Sequence, residues 1–312
     1  MQRMVTRRDF LSGAGATAAW LATPALDSQS RTAAQLPPSI QALTSMKGQE
    51  RPITADERRA RITKAQKQMV DQKIDALMLC SGTTMVYFTN IRWSGGERLF
   101  TCVVPAKGTP FVVCPAFEED RAREQLARGP FDKNTDVRTW HEHESPYERV
   151  AQGLRDRGLS TGTVGVEETI DFVFSNGVAK AAPSLRIASG TPITAGCRMI
   201  KDAHELELMR LASNVTLKAY DAAYKALKEG MTQDDFGALV SAAHAQLGFA
   251  GGAGVQVGEF SALPHGSITP QTVREGTILL IDGGCHIEGY QSDLRRKFVL
   301  REPTHKVKRD FE

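Results

Sequence analysis

Cysteine is scarce in this sequence and is not arranged for cross-linking. Five cysteines occur among the 312 residues, an odd number with no Cys-x-x-Cys pair. A disulfide framework or a zinc ribbon needs paired, regularly spaced cysteines, so the sequence disfavours both. Cys80, Cys102 and Cys114 lie in or beside apolar runs, where cysteine usually acts as a small buried hydrophobic residue.

An excess of one charge and a long apolar segment are missing as well. The 39 basic and 36 acidic residues give a net charge of +3, which is too slight to indicate a nucleic-acid partner. The apolar run at residues 12–22 is too short to span a bilayer, so we expect no stable membrane anchor. The composition is that of an ordinary globular protein, and a chain of this length typically forms about two domains.

The N-terminus predicts an export signal. Residues 1–25 contain Thr6-Arg7-Arg8-Asp9-Phe10-Leu11, then a small-residue apolar run and a cleavage-like Thr23-Pro24-Ala25. A paired arginine before such a run is typical of a twin-arginine signal peptide. Residues 26–55, rich in Ser, Thr, Gln and Pro, predict a linker. We therefore expect a periplasmic or extracellular protein.

Residues 56–190 alternate between helical and strand-like patterns, which predicts an α/β domain. Charged or amphipathic stretches at 56–70, 118–126 and 147–157 predict helices, and short apolar runs at 74–80, 85–88, 99–104, 111–114 and 164–167 predict strands. Gly190, Pro192 and Gly196 predict a break at 189–196 before a second domain at 197–312. In that domain, helices are predicted at 203–229 and, after a Thr232 cap, at 233–247.

The stretch 277–299 predicts a β-hairpin that carries two aspartates. The apolar run Ile278–Ile281 enters Asp282, glycines follow, and a second run carries Asp293. A turn centred between Ile287 and Glu288 would place the two aspartates directly opposite each other, and like charges in that position destabilise a sheet. A divalent cation could compensate them, and so could Arg295 on the same face. The hairpin alone leaves both interpretations open.

Upstream of the hairpin, His265 lies in Leu263-Pro264-His265-Gly266. Proline before it and glycine after it suit a side chain that is presented to a cleft. The pattern PHG, a strand ending IDGG and then GYxSD resembles the pita-bread metallopeptidases, which include the Xaa-Pro aminopeptidases, prolidases and creatinase. Residues 196–205 resemble the entry into that family's catalytic domain, and the likeness extends loosely back to about Asp56.

The resemblance implies an α/β creatinase-like N-terminal domain followed by an incomplete α+β pita-bread catalytic domain. It implies that Asp282 and Asp293 bind a centre of two divalent metal ions, usually manganese, cobalt or zinc. It implies that His265 is catalytic, contacting substrate and assisting proton transfer. A proline-containing peptide would be the substrate, and the protein would be a homodimer.

The sequence departs from the family pattern in two places. Asp293 is followed by Leu294-Arg295-Arg296-Lys297 where the family has a Thr-Arg-Thr run. The family's remaining metal ligands, one histidine and two glutamates from later strands, have no match in residues 294–312, so we expect a C-terminally truncated member that binds metal weakly. Three hypotheses follow: a metal-dependent Xaa-Pro peptidase, an inactive peptide- or partner-binding member, and a metal-free creatinase-like hydrolase.

Exchanging both Arg7 and Arg8 for lysine should leave the protein in the cytoplasm, because the twin-arginine route reads the arginine pair. Cell fractionation followed by immunoblotting measures the distribution. An Arg3→Lys variant, which changes an arginine outside the pair, should be exported normally. Unchanged periplasmic delivery of the double variant would contradict the prediction.

Overall fold

Two β-sheets organise the chain, one in each half. The structure is a computed structural model that describes residues 35–311, so the predicted signal peptide and residues 26–34 of the predicted linker lie outside the described residues. Residues 38–312 form one compact unit. Among the described residues, no helix is both long and apolar enough to cross a membrane.

The N-terminal half contains six strands and the helices between them. The helices are α1 (Pro38–Gln41), α2 (Ala55–Gln72), α3 (Gly82–Thr89), α4 (Glu119–Leu126), α5 (Pro146–Arg155), α6 (Phe172–Ala181) and α7 (Thr191–Arg198). The strands are β1 (Ala76–Leu79), β2 (Thr101–Pro105), β3 (Phe111–Pro115), β4 (Asp136–Trp140), β5 (Gly162–Val166) and β6 (Leu185–Ser189). Their order across the sheet is β4-β3-β2-β1-β5-β6. The predicted α/β character is confirmed.

The sheet is mixed and lies between two apolar layers. Strand β2 pairs antiparallel with β1 and β3, whereas β3–β4, β1–β5 and β5–β6 are parallel pairs. Strands β1, β2 and β3 are buried along their whole length. Alternate residues of these strands face the two layers, so Leu77 packs in one cluster and Met78 in the other. This burial explains why the strands read as continuous apolar runs.

One prediction of local structure in this half is wrong. Residues 85–88 are not a strand but part of α3, in which Met85, Phe88 and Thr89 share a buried face at helical spacing. A short apolar run fits a buried strand or a buried helix equally well, and here the helix packs against α2. The segment of the predicted domain break, 189–196, contains the start of α7, where Pro192 occupies the first turn, a position that suits proline. The break itself stays a prediction.

The C-terminal half is an antiparallel sheet backed by two helices. Helix α8 (Ala203–Lys225) and helix α9 (Gln233–Gln246) precede strands β7 (Gly251–Val257), β8 (Ile278–Ile287), β9 (Tyr290–Gln291) and β10 (Leu294–Val299), and α10 (His305–Phe311) follows. Strand β8 is central, paired with β7, β9 and β10. One face packs on the helices through Tyr220, Phe236 and Ile281. Both predicted helices are confirmed, although α8 ends at Lys225, before the predicted Glu229.

A buried polar network joins the two halves. Arg61 of α2 stacks on Tyr87, with its guanidinium carbon 4.1 Å from the ring centre, and donates through Nη2 to the Tyr290 hydroxyl at 2.8 Å. That hydroxyl donates to Glu205 Oε1 at 2.8 Å, and Arg61 Nη2 lies 3.6 Å from the same oxygen. Neighbouring Arg58 donates to the carbonyls of Val86 and Tyr87. Strand β9 is thereby tied to α2 and α8.

A second link between the halves pairs Glu57 with His204. Glu57 completes the capping box of α2, with Thr54 N and Oγ1 each donating to its carboxylate at 2.7 Å. His204 of α8 bonds the other carboxylate oxygen at 2.6 Å through Nδ1 and the Arg51 carbonyl through Nε2. Burial raises the pKa of Glu57, but the hydrogen bonds with His204 and Thr54 outweigh it and lower the pKa from 4.5 to about 2.

Glu57→Gln should lower stability by about 1–2 kcal/mol at pH 7, since solvent screens part of the benefit at this partly exposed carboxylate. A depressed carboxyl pKa stabilises the fold fully above the unfolded value near 4.5, and this benefit is lost as the pH falls toward 2. Urea unfolding from pH 2 to 7 should therefore show a shallower pH dependence in the variant. Glu207→Gln, at an exposed ion pair with Arg51, is the control. Identical pH profiles for Glu57→Gln and wild type would refute this assignment.

Candidate active site

The β8–β9 hairpin closes on a two-residue turn at Glu288 and Gly289. Both residues have positive φ, 51° and 90°, and Ile287 pairs with Tyr290. Positive φ at both loop positions matches the right-handed twist of the strands, and glycine at the second position is favoured there. The turn therefore lies one residue further along the chain than the sequence pattern indicated.

The shifted turn changes the partner of Asp282. Asp282 lies opposite Arg295, not opposite Asp293 as predicted. Because the shift moves each partner by two residues, the two aspartates and Arg295 still share one face. The residue that could have revealed the correct register is Gly289, because a two-residue turn favours glycine at its second position.

The glycines after Asp282 serve close strand packing rather than a turn. Strand β8 continues through Gly283 and Gly284 to Ile287. A Cβ at Gly283 would collide with the Gly252 carbonyl of β7, and one at Gly284 would collide with the Ser292 carbonyl. The two glycines therefore let three backbone segments approach closely around Asp282.

Asp282 is held by an ion pair. Arg295 donates to its Oδ2 from Nε at 2.9 Å and from Nη2 at 2.5 Å. The two side chains are 37% and 60% exposed, so the pair contributes about 0–1 kcal/mol to stability. Arg295 is therefore the charge that compensates Asp282 in this structure, and a competing cation could displace it at little cost.

Asp293 lies in the gap between β9 and β10 and is exposed. Tyr220 of α8 supports this segment, because its hydroxyl donates to the Leu294 carbonyl at 3.0 Å. Burial raises the pKa of Tyr220 to about 12, and the carboxylates of Asp282 and Asp293 contribute to the rise. Both aspartates therefore lie within electrostatic reach of one buried hydroxyl.

His265 lies on an exposed loop that is held against β7 by two amide side chains, the half-buried Gln256 of β7 and the buried Gln271. Gln256 accepts from the Ser267 backbone N–H at 2.9 Å and from Gln271 Nε2 at 2.9 Å. Gln271, 3% exposed, accepts from the Val257 N–H at 2.6 Å. Sequence analysis missed both glutamines, because an isolated glutamine carries no pattern that marks it as buried.

One cavity of about 450 Å³ brings together His265, Asp282 and Arg295. Leu263, Pro264 and Leu280 give part of its lining an apolar character. Asp293 is not among the described residues that line it. The predicted site residues are thus gathered on one face of the C-terminal sheet, with Asp293 at the margin.

The described residues do not complete a metal site. Within residues 35–311, no group of three or more His, Cys, Asp and Glu side chains could hold a metal ion. Divalent ions such as Mn²⁺ and Ca²⁺ take about six oxygen or nitrogen ligands, and the two aspartates supply only part of such a set. Arg295 also occupies Asp282. Residues 35–311 therefore supply only part of a divalent-metal site.

Two family descriptions match the chain in succession. The creatinase/prolidase N-terminal domain matches residues 61–200, and metallopeptidase family M24 matches residues 207–312. The Xaa-Pro dipeptidase of Lactobacillus delbrueckii subsp. lactis is 26% identical over 260 residues, covering 80% of this chain and 68% of the relative. The Bacillus subtilis protein YkvY is 26% identical over 230 residues, covering 72% of this chain and 62% of the relative. The chain thus spans less than two thirds of YkvY.

Solved structures share the fold. Dipeptidase PepE from Mycobacterium ulcerans superposes with a TM-score of 0.75 at 24% identity, covering 84% of this chain and 69% of that one. A recombinant prolidase from Thermococcus sibiricus gives a TM-score of 0.71 at 22% identity, covering 80% and 68%. At these identities the likeness concerns the fold.

An α/β half that matches the creatinase/prolidase N-terminal domain, followed by a helix-backed antiparallel sheet that matches metallopeptidase family M24, defines the class of protein. The chain belongs to the pita-bread Xaa-Pro peptidase family, which includes the prolidases, and it is shorter than its relatives. The predicted family and fold class are confirmed. The roles of His265, Asp282 and Asp293 remain predictions.

Arg295→Thr should raise the affinity for Mn²⁺ about tenfold, because it removes a positive charge bonded directly to Asp282. Isothermal titration calorimetry on the full chain measures the change. Lys297→Thr removes an equal charge two residues further along and should have a smaller effect. Equal affinity in Arg295→Thr and wild type would show that Arg295 does not compete with the ion.

Proposed function

We propose that this protein hydrolyses the peptide bond between an N-terminal residue and proline, as an Xaa-Pro dipeptidase or aminopeptidase. The observation that carries the proposal is the cavity that holds His265 and Asp282 together on the open face of the C-terminal sheet. Relatives named Xaa-Pro dipeptidase support the substrate class.

The cavity suits a short peptide. Its volume of about 450 Å³ falls in the range of small-molecule sites. Leu263, Pro264 and Leu280 offer apolar contact for a proline ring, and His265 and Arg295 offer polar contact for a peptide carbonyl or carboxylate. The imidazole of His265 can donate a proton to the departing amine or a hydrogen bond to a developing oxyanion.

Divalent metal ions are part of the proposal. Asp282 and Asp293 would supply carboxylate ligands to manganese, cobalt or zinc, together with ligands beyond those that residues 35–311 provide. If held there, such ions would supply Lewis-acid chemistry toward water and the peptide carbonyl. A homodimer, and export by the twin-arginine route to the periplasm, complete the proposed setting.

A second candidate is a member that binds peptide or a partner without turnover. The specific observation in its favour is Arg295, which neutralises Asp282 in place of a metal ion. The two candidates differ in whether the ion pair opens when metal and substrate are present.

The decisive assay compares Ala-Pro with Ala-Ala hydrolysis in the presence of Mn²⁺. Two samples are compared: this chain, and the protein made when the same reading frame is expressed beyond residue 312. We expect slow or no cleavage by this chain and ready, proline-dependent cleavage by a product that adds a histidine and two glutamates. No Xaa-Pro preference in that longer product would defeat the proposal. Tight binding of two ions with rapid cleavage by this chain alone would instead show that this chain, or its dimer, supplies the remaining metal ligands.

In an active product, His265→Gln should lower kcat about 100-fold to 1,000-fold while the chain stays folded, because a positioned proton donor contributes on this scale. Steady-state kinetics on Ala-Pro, with circular dichroism as the folding check, gives the result. The matched control is His286→Gln, at an exposed histidine of β8 that lies on the same strand face as Asp282 but outside this cavity. Unchanged kcat in His265→Gln would remove His265 from the mechanism.

A further inference from the structure

Behind Asp293 lies a chain of four buried polar groups. His244 of α9 and Thr216 of α8 are both 0% exposed, Ser292 is 3% exposed, and Cys285 of β8 is 0% exposed. Thr216 Oγ1 lies 3.3 Å from His244 Nε2 and 2.8 Å from Ser292 Oγ, and Ser292 Oγ lies 3.0 Å from the Cys285 backbone nitrogen. The proposed chemistry of the cavity uses none of these groups.

The direction of every hydrogen bond in this relay follows from one end. His244 Nδ1 lies 2.9 Å from the Val240 carbonyl, which can only accept, so Nδ1 carries the proton. Burial lowers the pKa of His244, and the bond to Val240 offsets this only in part, so the ring is neutral and Nε2 accepts.

The neutral His244 ring determines the donor and acceptor of the remaining hydrogen bonds. Thr216 donates its hydroxyl proton to Nε2 and accepts from the Ser292 hydroxyl, and Ser292 in turn accepts from the Cys285 N–H. Each hydroxyl thus makes one donated and one accepted bond. The Ser292 hydroxyl also lies 3.4 Å from the Cys285 carbonyl, and the Cys285 sulfur lies 3.7 Å from Thr216 and 3.8 Å from Ser292. These contacts are longer than the 2.8 Å bond between Thr216 and Ser292 and the 3.0 Å bond from the Cys285 N–H.

The relay meets the hairpin where regular strand pairing stops. Strand β9 ends at Gln291 and β10 begins at Leu294, so Ser292 and Asp293 lie between them. At Cys285 the backbone N–H is bonded by the Ser292 side chain, while the Ser292 N–H donates to the Cys285 carbonyl at 3.1 Å. The hydroxyl of Ser292 therefore replaces a ladder acceptor at the residue before Asp293.

We propose that His244 and Thr216 are positioning residues for Asp293, acting through the hydroxyl of Ser292 to hold the step between β9 and β10. Two helices thereby set where the carboxylate lies relative to Asp282. The use of Asp293 as a metal ligand rests on the proposed function, whereas the positioning itself does not.

The test compares Thr216→Val with Thr216→Ser in the full chain. Valine keeps the shape of threonine and removes the hydroxyl, and serine keeps the hydroxyl and removes the methyl group. Amide hydrogen exchange at Cys285 and the carboxyl ¹³C NMR signals of Asp282, Asp293 and the surface residue Asp234 are recorded without metal or substrate. A protein with no peptidase activity can therefore still support or refute the relay.

We expect Thr216→Val to speed exchange at Cys285 about fivefold to tenfold, the factor that corresponds to one net hydrogen bond. It should also move the Asp293 signal and leave Asp234 in place, while Thr216→Ser keeps the wild-type values. An unchanged Asp293 signal in Thr216→Val, or the same change in both variants, would overturn the proposal. If the valine variant does not fold, the ring ¹⁵N signals of wild-type His244 decide: a proton on Nδ1 supports the relay, and a proton on Nε2 overturns it.

Discussion

The hydrogen bonds among Arg61, Tyr290 and Glu205 are the constraint on which the arrangement of the candidate site depends. They join α2, the aspartate hairpin and α8, and Arg61 and Glu205 are 6% and 3% exposed. Burying such charges is costly unless they are paired and hydrogen-bonded, so the three groups must stay together. Among the described residues, the Nε atoms of Arg58 and Arg61 find no partner, which makes the remaining bonds more important. Because Tyr290 directly follows the hairpin turn, the network determines where β8 presents Asp282.

Two ion pairs contact the hairpin, Arg61–Glu205 and Arg295–Asp282, and they differ in what their loss would cost. Losing one member of the buried Arg61–Glu205 pair would leave an uncompensated charge in the interior, at a cost of about 3–5 kcal/mol. Losing the exposed Arg295–Asp282 pair costs about 0–1 kcal/mol. The first interaction therefore holds the hairpin in place, and the second leaves Asp282 open to a better cation.

The sequence predicts the elements whose signals are local. The capping box at Thr232 marks the start of α9 and lies where the pattern put it. The family motif led to the correct fold. It also singled out His265 and Asp282, which share one cavity in the structure. Elements whose form depends on packing could not be predicted in this way. The apolar run at residues 85–88 is compatible with a buried strand and with a buried helix, and only its packing against α2 selects the helix.

The hairpin register and the polar residues that support the candidate site could not be predicted from the sequence for a similar reason. The turn lies one residue further along the chain than predicted, and this shift makes Arg295 the partner of Asp282 where Asp293 was predicted. Gln271 and His244 carry no motif, and the motif that contains Tyr290 does not indicate its partners, because each residue becomes important only through partners that are far away in the chain. Long-range polar contacts of this kind follow from the fold and not from local sequence.

The most direct test of this account is a double-mutant cycle of Arg61→Met and Tyr290→Phe, with urea unfolding as the measurement. If the network holds the hairpin on the N-terminal domain, the two substitutions should be coupled by about 1–3 kcal/mol, the range for groups in one hydrogen-bond network. Additive effects, with a coupling below about 0.3–0.5 kcal/mol, would show that the hairpin is held in place by other means.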